Sequence, residues 1–152
     1  GARIILSSSH VIVSEPERVR GRRVLVVEDG PTLTHGEMAF GAGTIAARTF
    51  GAREIVDPRA FATGSIADTY RKYPHIGPVL PAMGYSTEQI SDLKQTINSS
   101  DCELVLFATP IQLTRIVSIN KPAIRVRYEY EDSGSPTLED VLLEELKNKG
   151  LV

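Results

Sequence analysis

The residues best equipped for chemistry lie in one run, Val26-Val27-Glu28-Asp29-Gly30-Pro31-Thr32-Leu33-Thr34-His35-Gly36, where an apolar stretch empties into acids, hydroxyls, an imidazole and glycines. Shortly after it, Gly41-Ala42-Gly43-Thr44 opens an alanine-rich segment. In open α/β sheets ligands sit at the carboxyl ends of strands, and a helix start with nearby glycines offers free backbone N–H groups to an anion. Thr34, Gly36, Gly41 and Gly43 are therefore candidate contacts to a phosphorylated ligand. The alternative for Gly41 and Gly43 is close packing of a helix on a sheet. The spacing from Gly36 to Gly41 matches the start of a Walker A motif, but Ala42 and Gly43 stand where that motif requires Lys and then Ser or Thr. With no lysine to reach terminal phosphates, the chain alone is not expected to hydrolyse a nucleotide.

His35 can titrate near neutrality and is the candidate catalytic acid, base or phosphate partner, set against the alternative of a surface histidine. Glu28 and Asp29 form a carboxylate pair whose hard oxygens suit magnesium, although Asp-Gly-Pro is equally ordinary turn chemistry. Arg59, closing the run Asp57-Pro58-Arg59, can grip a phosphate through its planar fork or form a surface ion pair. Arg125 and Arg127 share one face of an alternating segment and make either an anion site or a solvated strand face. His75 sits in a Pro- and Gly-rich stretch and can face the same cleft, and Thr109-Pro110 is a minor candidate. Tyr70, Tyr73 and Tyr85 read as packing residues with hydroxyls in water.

Short β-rich runs alternating with helical ones predict an α/β fold. The expected architecture is Rossmann-like, a mostly parallel sheet of five or six strands flanked by helices. Strands are expected at residues 3–7, 11–13, 23–28, 54–56, 104–108 and 123–130. The apolar core of the third, Val24-Leu25-Val26-Val27, suits a strand covered on both faces. Helices are expected at residues 41–50, with Gly51 as its stop, at 66–72, and at 87–98, where Ser86 and Gln89 form a capping box. Two more are expected at 109–117, with Pro110 at its first position, and from Ser135-Pro136-Thr137 to about residue 149.

The 152 residues suffice for one core without staples, and Cys102, the lone cysteine, cannot form an internal disulfide. Seventeen Lys and Arg against 19 Asp and Glu give a net charge of −2, so no polyanion partner such as nucleic acid is implied. No apolar run is long enough to span a bilayer, and no signal peptide is recognisable. The expectation is a cytoplasmic protein without a membrane partner.

Several runs taken in order carry a family resemblance. They are Val27-Glu28-Asp29-Gly30-Pro31-Thr32-Leu33-Thr34-His35-Gly36, Glu54-Ile55-Val56-Asp57-Pro58-Arg59, Tyr73-Pro74-His75-Ile76-Gly77, Leu80-Pro81-Ala82-Met83-Gly84-Tyr85 and Asn120-Lys121-Pro122-Ala123. Together they resemble the C-terminal part of the cyclic 2,3-diphosphoglycerate synthetase family and its relatives described as predicted GTPases. The resemblance implies a larger parent in which a P-loop nucleotide-binding domain lies upstream. It also implies ATP or GTP and magnesium as the parent's cofactors, and closure of a phosphoanhydride in a phosphorylated small molecule, a chemistry of thermophilic archaea. Residues 1–22 would then be the end of, or link to, that P-loop domain, and 23–152 a C-terminal α/β domain. A ligase or NTPase parent, assembled as a homo-oligomer, is the expected setting. The competing expectations are a non-catalytic dimerisation or ligand-sensing module and, more weakly, a dinucleotide-binding domain, which lacks its Gly-x-Gly-x-x-Gly.

Overall fold

A computed structural model describes residues 3–83 and 86–151. Tyr85, expected as a packing tyrosine, lies outside the described residues. The fold is α/β and Rossmann-like. Its strands are β1 (Ser7–Val13), β2 (Arg23–Asp29), β3 (Glu54–Ile55), β4 (Leu80–Ala82), β5 (Leu104–Ala108) and β6 (Ala123–Asp132). Its helices are α1 (Gly30–Thr34), α2 (Ala42–Thr49), α3 (Gly64–Lys72), α4 (Thr87–Ser99) and α5 (Leu138–Asn148). The sheet runs β1-β6-β5-β2-β3, and β4 also pairs with β2.

The chain divides into two compact units, and the larger, Val11–Arg127, carries the central sheet. Within it β2 is parallel to β3 from Arg23 to Val24, to β4 from Val27 to Asp29, and to β5 from Val24 to Glu28. β5 is in turn parallel to β6, with Phe107 opposite Arg125. The chain builds one side of β2 first and then crosses to the other, so the strand order reverses between β2 and β5. That is the place where doubly wound sheets take their ligands.

Val24, Leu25, Val26 and Val27 are all fully buried because both sheet faces are covered. Side chains alternate between faces along a strand. Val24 and Val26 therefore pack with Leu104, Leu106, Ile124 and with Ala46 and Ala47 of α2. Leu25 and Val27 pack with Val105 and Phe107 under Ile66 of α3 and Leu93 and Ile97 of α4. Each fully buried large side chain contributes roughly 1.5–3 kcal/mol of transfer free energy, which fixes the strand ends on which the site depends.

The capping box of α4 forms as expected: Ser86 Oγ accepts from the Gln89 N–H at 3.2 Å, and Gln89 Oε1 accepts from the Ser86 N–H at 3.3 Å. Ser86→Ala is expected to cost about 1 kcal/mol, seen as a lower urea midpoint with an unchanged slope.

Four expectations are corrected. Residues 3–7 and 11–13 are not two strands; one strand, β1, spans Ser7–Val13, because ladder bonding does not require the apolar side chains on which the reading relied. β4 was hidden by Pro81, which is tolerated where a ladder N–H is not needed. The stretch after Asp29, where no helix was expected, is a short helix: Asp29 caps it and Pro31 sits in its first turn. Residues 109–117 form only a 3-10 turn, Leu113–Arg115, and the Thr109 hydroxyl donates to the Ile111 carbonyl at 2.7 Å, tying the backbone into a turn.

The smaller unit, Gly1–His10 with Tyr128–Val152, contains the ends of β1 and β6 and helix α5. Thr137 caps α5 through a second capping box with Asp140, and Arg3 pairs with Glu144. α5 buries none of its residues. Tyr128, expected on the apolar face of the last strand, is 60% exposed, whereas Ile124 and Val126 are buried. Among the described residues no helix is long and apolar enough to cross a membrane.

Candidate functional site

The carboxyl end of β2 presents Glu28 and Asp29 to two different helix starts. Asp29 Oδ2 accepts from the Thr32 N–H at 3.2 Å and the Thr32 hydroxyl at 2.8 Å, capping α1. Glu28 turns to the opposite face and meets α2. Its Oε1 accepts from the N–H groups of Gly41 at 3.0 Å and Thr44 at 2.9 Å and from the Thr44 hydroxyl at 3.2 Å, while Oε2 accepts from the Gly43 N–H at 3.2 Å. Glu28 is only 1% exposed.

The helix start read as a phosphate cradle thus holds an anion, and the anion is the protein's own carboxylate. Gly41 occupies the cap position and has no side chain to cap with, so the capping acceptor comes from β2. A Cβ on Gly41 would lie 2.8 Å from Glu28 Oε2, and one on Gly43 would lie 2.6 Å from Val26 Cγ1. Both glycines admit the helix to the sheet. Burial pushes the Glu28 carboxyl up, and the N–H groups of Thr44, Gly43 and Gly41 pull it back down. A magnesium ion would have to displace these donors to reach Glu28, so Glu28 and Asp29 do not fit a paired metal site. Among the described residues no cluster of three His, Cys, Asp or Glu side chains could hold a metal.

His35 caps the C-terminus of α1 and is exposed. The buried Thr34 hydroxyl lies 3.0 Å from the Gly30 carbonyl and 3.0 Å from His35 Nδ1. A hydroxyl has one proton. Donating it to the carbonyl makes Nδ1–H the donor to Thr34 and leaves His35 Nε2 as the lone-pair nitrogen facing solvent, the form a general base requires. Gly36 follows, where a Cβ would meet the Thr32 carbonyl at 2.5 Å. His75 joins this group indirectly: its Nε2–H donates to the Leu33 carbonyl at 2.8 Å, and the Gly77 N–H donates to the Ala39 carbonyl at 2.9 Å. The Pro- and Gly-rich stretch is thereby laid along α1 and the loop after it.

The arginines stand elsewhere. Arg59 grips Asp57, its Nε donating at 2.9 and 3.0 Å, and holds that carboxyl below the usual range. Arg125 donates through Nη2 to the Pro110 carbonyl at 3.0 Å, and Arg127 is exposed on β6. No hydrogen bond or ion pair among the described residues joins Arg59, Arg125 or Arg127 to the His35 group. Tyr70 does not keep its hydroxyl in water: it donates to the Val79 carbonyl at 2.7 Å, and burial raises its pKa.

Sequence reasoning missed the segment after β5. Phe107, Ile111, Gln112, Leu113, Ala123 and Arg125 line a cleft of about 180 Å³ at the carboxyl end of β5, beside the first residues of β6. The one available signal was Thr109-Pro110 directly after an apolar strand.

No family model matches the chain, and no solved structure matches it. A curated protein of Thermococcus kodakarensis described as "Arginine synthetase ArcE" is 54% identical over 147 residues, which cover 97% of this chain. The chain spans about a third (33%) of the length of that relative, so over almost all of its residues it is similar to one portion of a larger synthetase.

Proposed function

We propose that this chain is the C-terminal α/β portion of a larger ATP-dependent synthetase, and that it holds the acceptor substrate while a P-loop portion of the parent supplies nucleotide and magnesium. The observation that carries this reading is the 54% identity, over 97% of the chain, to a synthetase three times its length. Two features of the site support the division of labour. The glycine-rich helix start at α2 is filled by Glu28 and has no Walker lysine, which leaves no nucleotide cradle there. At the end of α1, the exposed His35 has its Nε2 left as the lone-pair nitrogen, suited to move a proton from an attacking group.

The relative's name makes arginine the first product to test, and the family resemblance makes a cyclised phosphorylated acceptor the second. The full-length parent should be incubated with magnesium, ATP or GTP, and each precursor set, following arginine by amino-acid analysis and phosphoanhydrides by phosphorus NMR. Nucleotide consumed with either product supports the proposal, and consumption with neither sinks it. His35→Ala in that parent is expected to lower kcat about 100-fold or more, the range of a lost general acid or base. Assembly should be unchanged by sedimentation.

A second reading, an assembly module without catalytic duty, is favoured by α5, which buries no residue and leaves Leu142 52% exposed. Unchanged turnover in His35→Ala combined with Arg59→Ala would favour it.

A further inference from the structure

We propose that the cleft between the carboxyl end of β5 and the start of β6 binds the carboxylate of a small aliphatic acid of amino-acid size, with Arg125 as its anchor. The inference deepens the synthetase reading by naming the class of the acceptor, and it rests on that reading only for the choice of arginine as a probe.

Parallel pairing places Phe107 opposite Arg125, and both residues line the cleft. The Pro110 carbonyl holds one N–H of the fork at 3.0 Å and fixes the guanidinium against the segment after β5. The other donors of Arg125 have no carboxylate: among the described residues none lies within ion-pair distance of it. Arg18, Arg22, Arg23, Arg53, Arg59 and Arg71 each hold one. An arginine parked by a backbone carbonyl, with the rest of its fork free over a cleft, is poised for a planar anion.

The rest of the lining decides which anion. Phe107, Leu113 and Ala123 are apolar, and Gln112 adds a neutral amide. A phosphate dianion would need several donors or a second cation, neither of which the lining supplies. A monocarboxylate needs one fork, and its aliphatic chain can lie on Ile111, the exposed apolar residue of the lining. The cleft is small, about 180 Å³, a size that suits an amino acid. It opens at the carboxyl end of β5, the strand that borders the point where the order reverses.

Calorimetry on the 152-residue chain tests the site with L-arginine, valerate, agmatine and inorganic phosphate. Agmatine is arginine without its carboxylate. L-arginine and valerate should bind, and agmatine and phosphate should not. R125M should weaken carboxylate binding about ten-fold or more, the contribution of one charge-assisted pair, and R125K, which keeps the charge but loses the fork, should fall between. Arg125 is exposed, so the variants should melt like the parent chain. If R125M fails to fold, A123F, which fills the cleft two residues along the same face of β6 and leaves the arginine in place, should abolish binding. Phosphate binding as tight as the carboxylates, no carboxylate binding, or unchanged binding in a folded R125M or A123F overturns the proposal. The full-length parent separates the two failures. No arginine formation, together with Arg125-dependent valerate binding, removes the synthetase reading and keeps the site. Arginine formation with an unchanged KM in R125M does the reverse.

Discussion

Glu28→Ala is expected to destabilise the chain by about 3–5 kcal/mol, the range for removing one partner from a buried charged arrangement. The carboxylate is the acceptor for the N–H groups of Gly41, Gly43 and Thr44 and for the Thr44 hydroxyl. At 1% exposure, water does not replace it. Each buried donor left without an acceptor costs roughly 1–3 kcal/mol, and a domain of this size has about 5–15 kcal/mol in total. Urea denaturation followed by circular dichroism should show the loss, and a change under 1 kcal/mol would mean that the helix start finds other acceptors.

The same residue sets a pH trend opposite to that of the surface acids. Burial raises the Glu28 carboxyl above its ordinary value of 4.5, so the folded state binds its proton more tightly than the unfolded chain does. The proton-linked part of its contribution is complete below 4.5 and is lost as pH rises through the raised folded value. Asp57, Asp101 and Glu103 are lowered by arginines or backbone N–H groups and act in the other direction. Glu28→Gln removes the titration and keeps the shape. The stability of the parent chain minus that of E28Q should therefore fall as pH rises from about 4, while the trend of the surface acids cancels. A flat difference would show that the helix N–H groups offset the burial.

What was legible in the sequence followed from periodicity and punctuation. Val24 to Val27 announced a strand covered on both faces, Ser86 and Gln89 announced the start of α4, and Gly51 marked the end of α2. β4 and the first half of β1 escaped because their pairing runs through Leu-Pro-Ala and Ser-Ser-Ser-His, which carry no alternation of apolar side chains, whereas residues 11–13 of β1 were legible as a strand. The role of Glu28 escaped for another reason. An acid at a strand end looks exposed until the helix that descends on it is known. The sequence does hold a faint signal, since a helix opening at Gly41 without a Ser, Thr, Asp or Asn to cap it needs an acceptor from elsewhere. The cleft at Arg125 was half visible: the arginine was singled out, but Phe107 and Gln112 reach it only through the parallel register of β5 and β6 and the turn that follows β5.

Gly43→Ala should separate the two uses the sequence allowed for that glycine. The added Cβ would lie 2.6 Å from Val26 Cγ1, 3.0 Å from Ala108 Cβ and 3.2 Å from Glu28 Oε1, with sheet side chains on three sides. Overpacking of this kind costs about 1–3 kcal/mol. It is offset by about 1 kcal/mol of helix propensity gained over glycine, so a net loss of about 0–2 kcal/mol is expected. Gly30→Ala should lose more, because its Cβ would lie 2.3 Å from the Ala82 carbonyl oxygen and backbone cannot rotate away. Gly134→Ala meets nothing within 4 Å and should stay within about 0.5 kcal/mol. Thermal melts of the three variants rank them. If Gly43 served a phosphate and not the packing of α2, Gly43→Ala would melt with the parent chain and lose only anion binding. A lowered melting temperature without any phosphate affinity to lose places the residue in the fold, where it lets α2 come close enough for Glu28 to cap it.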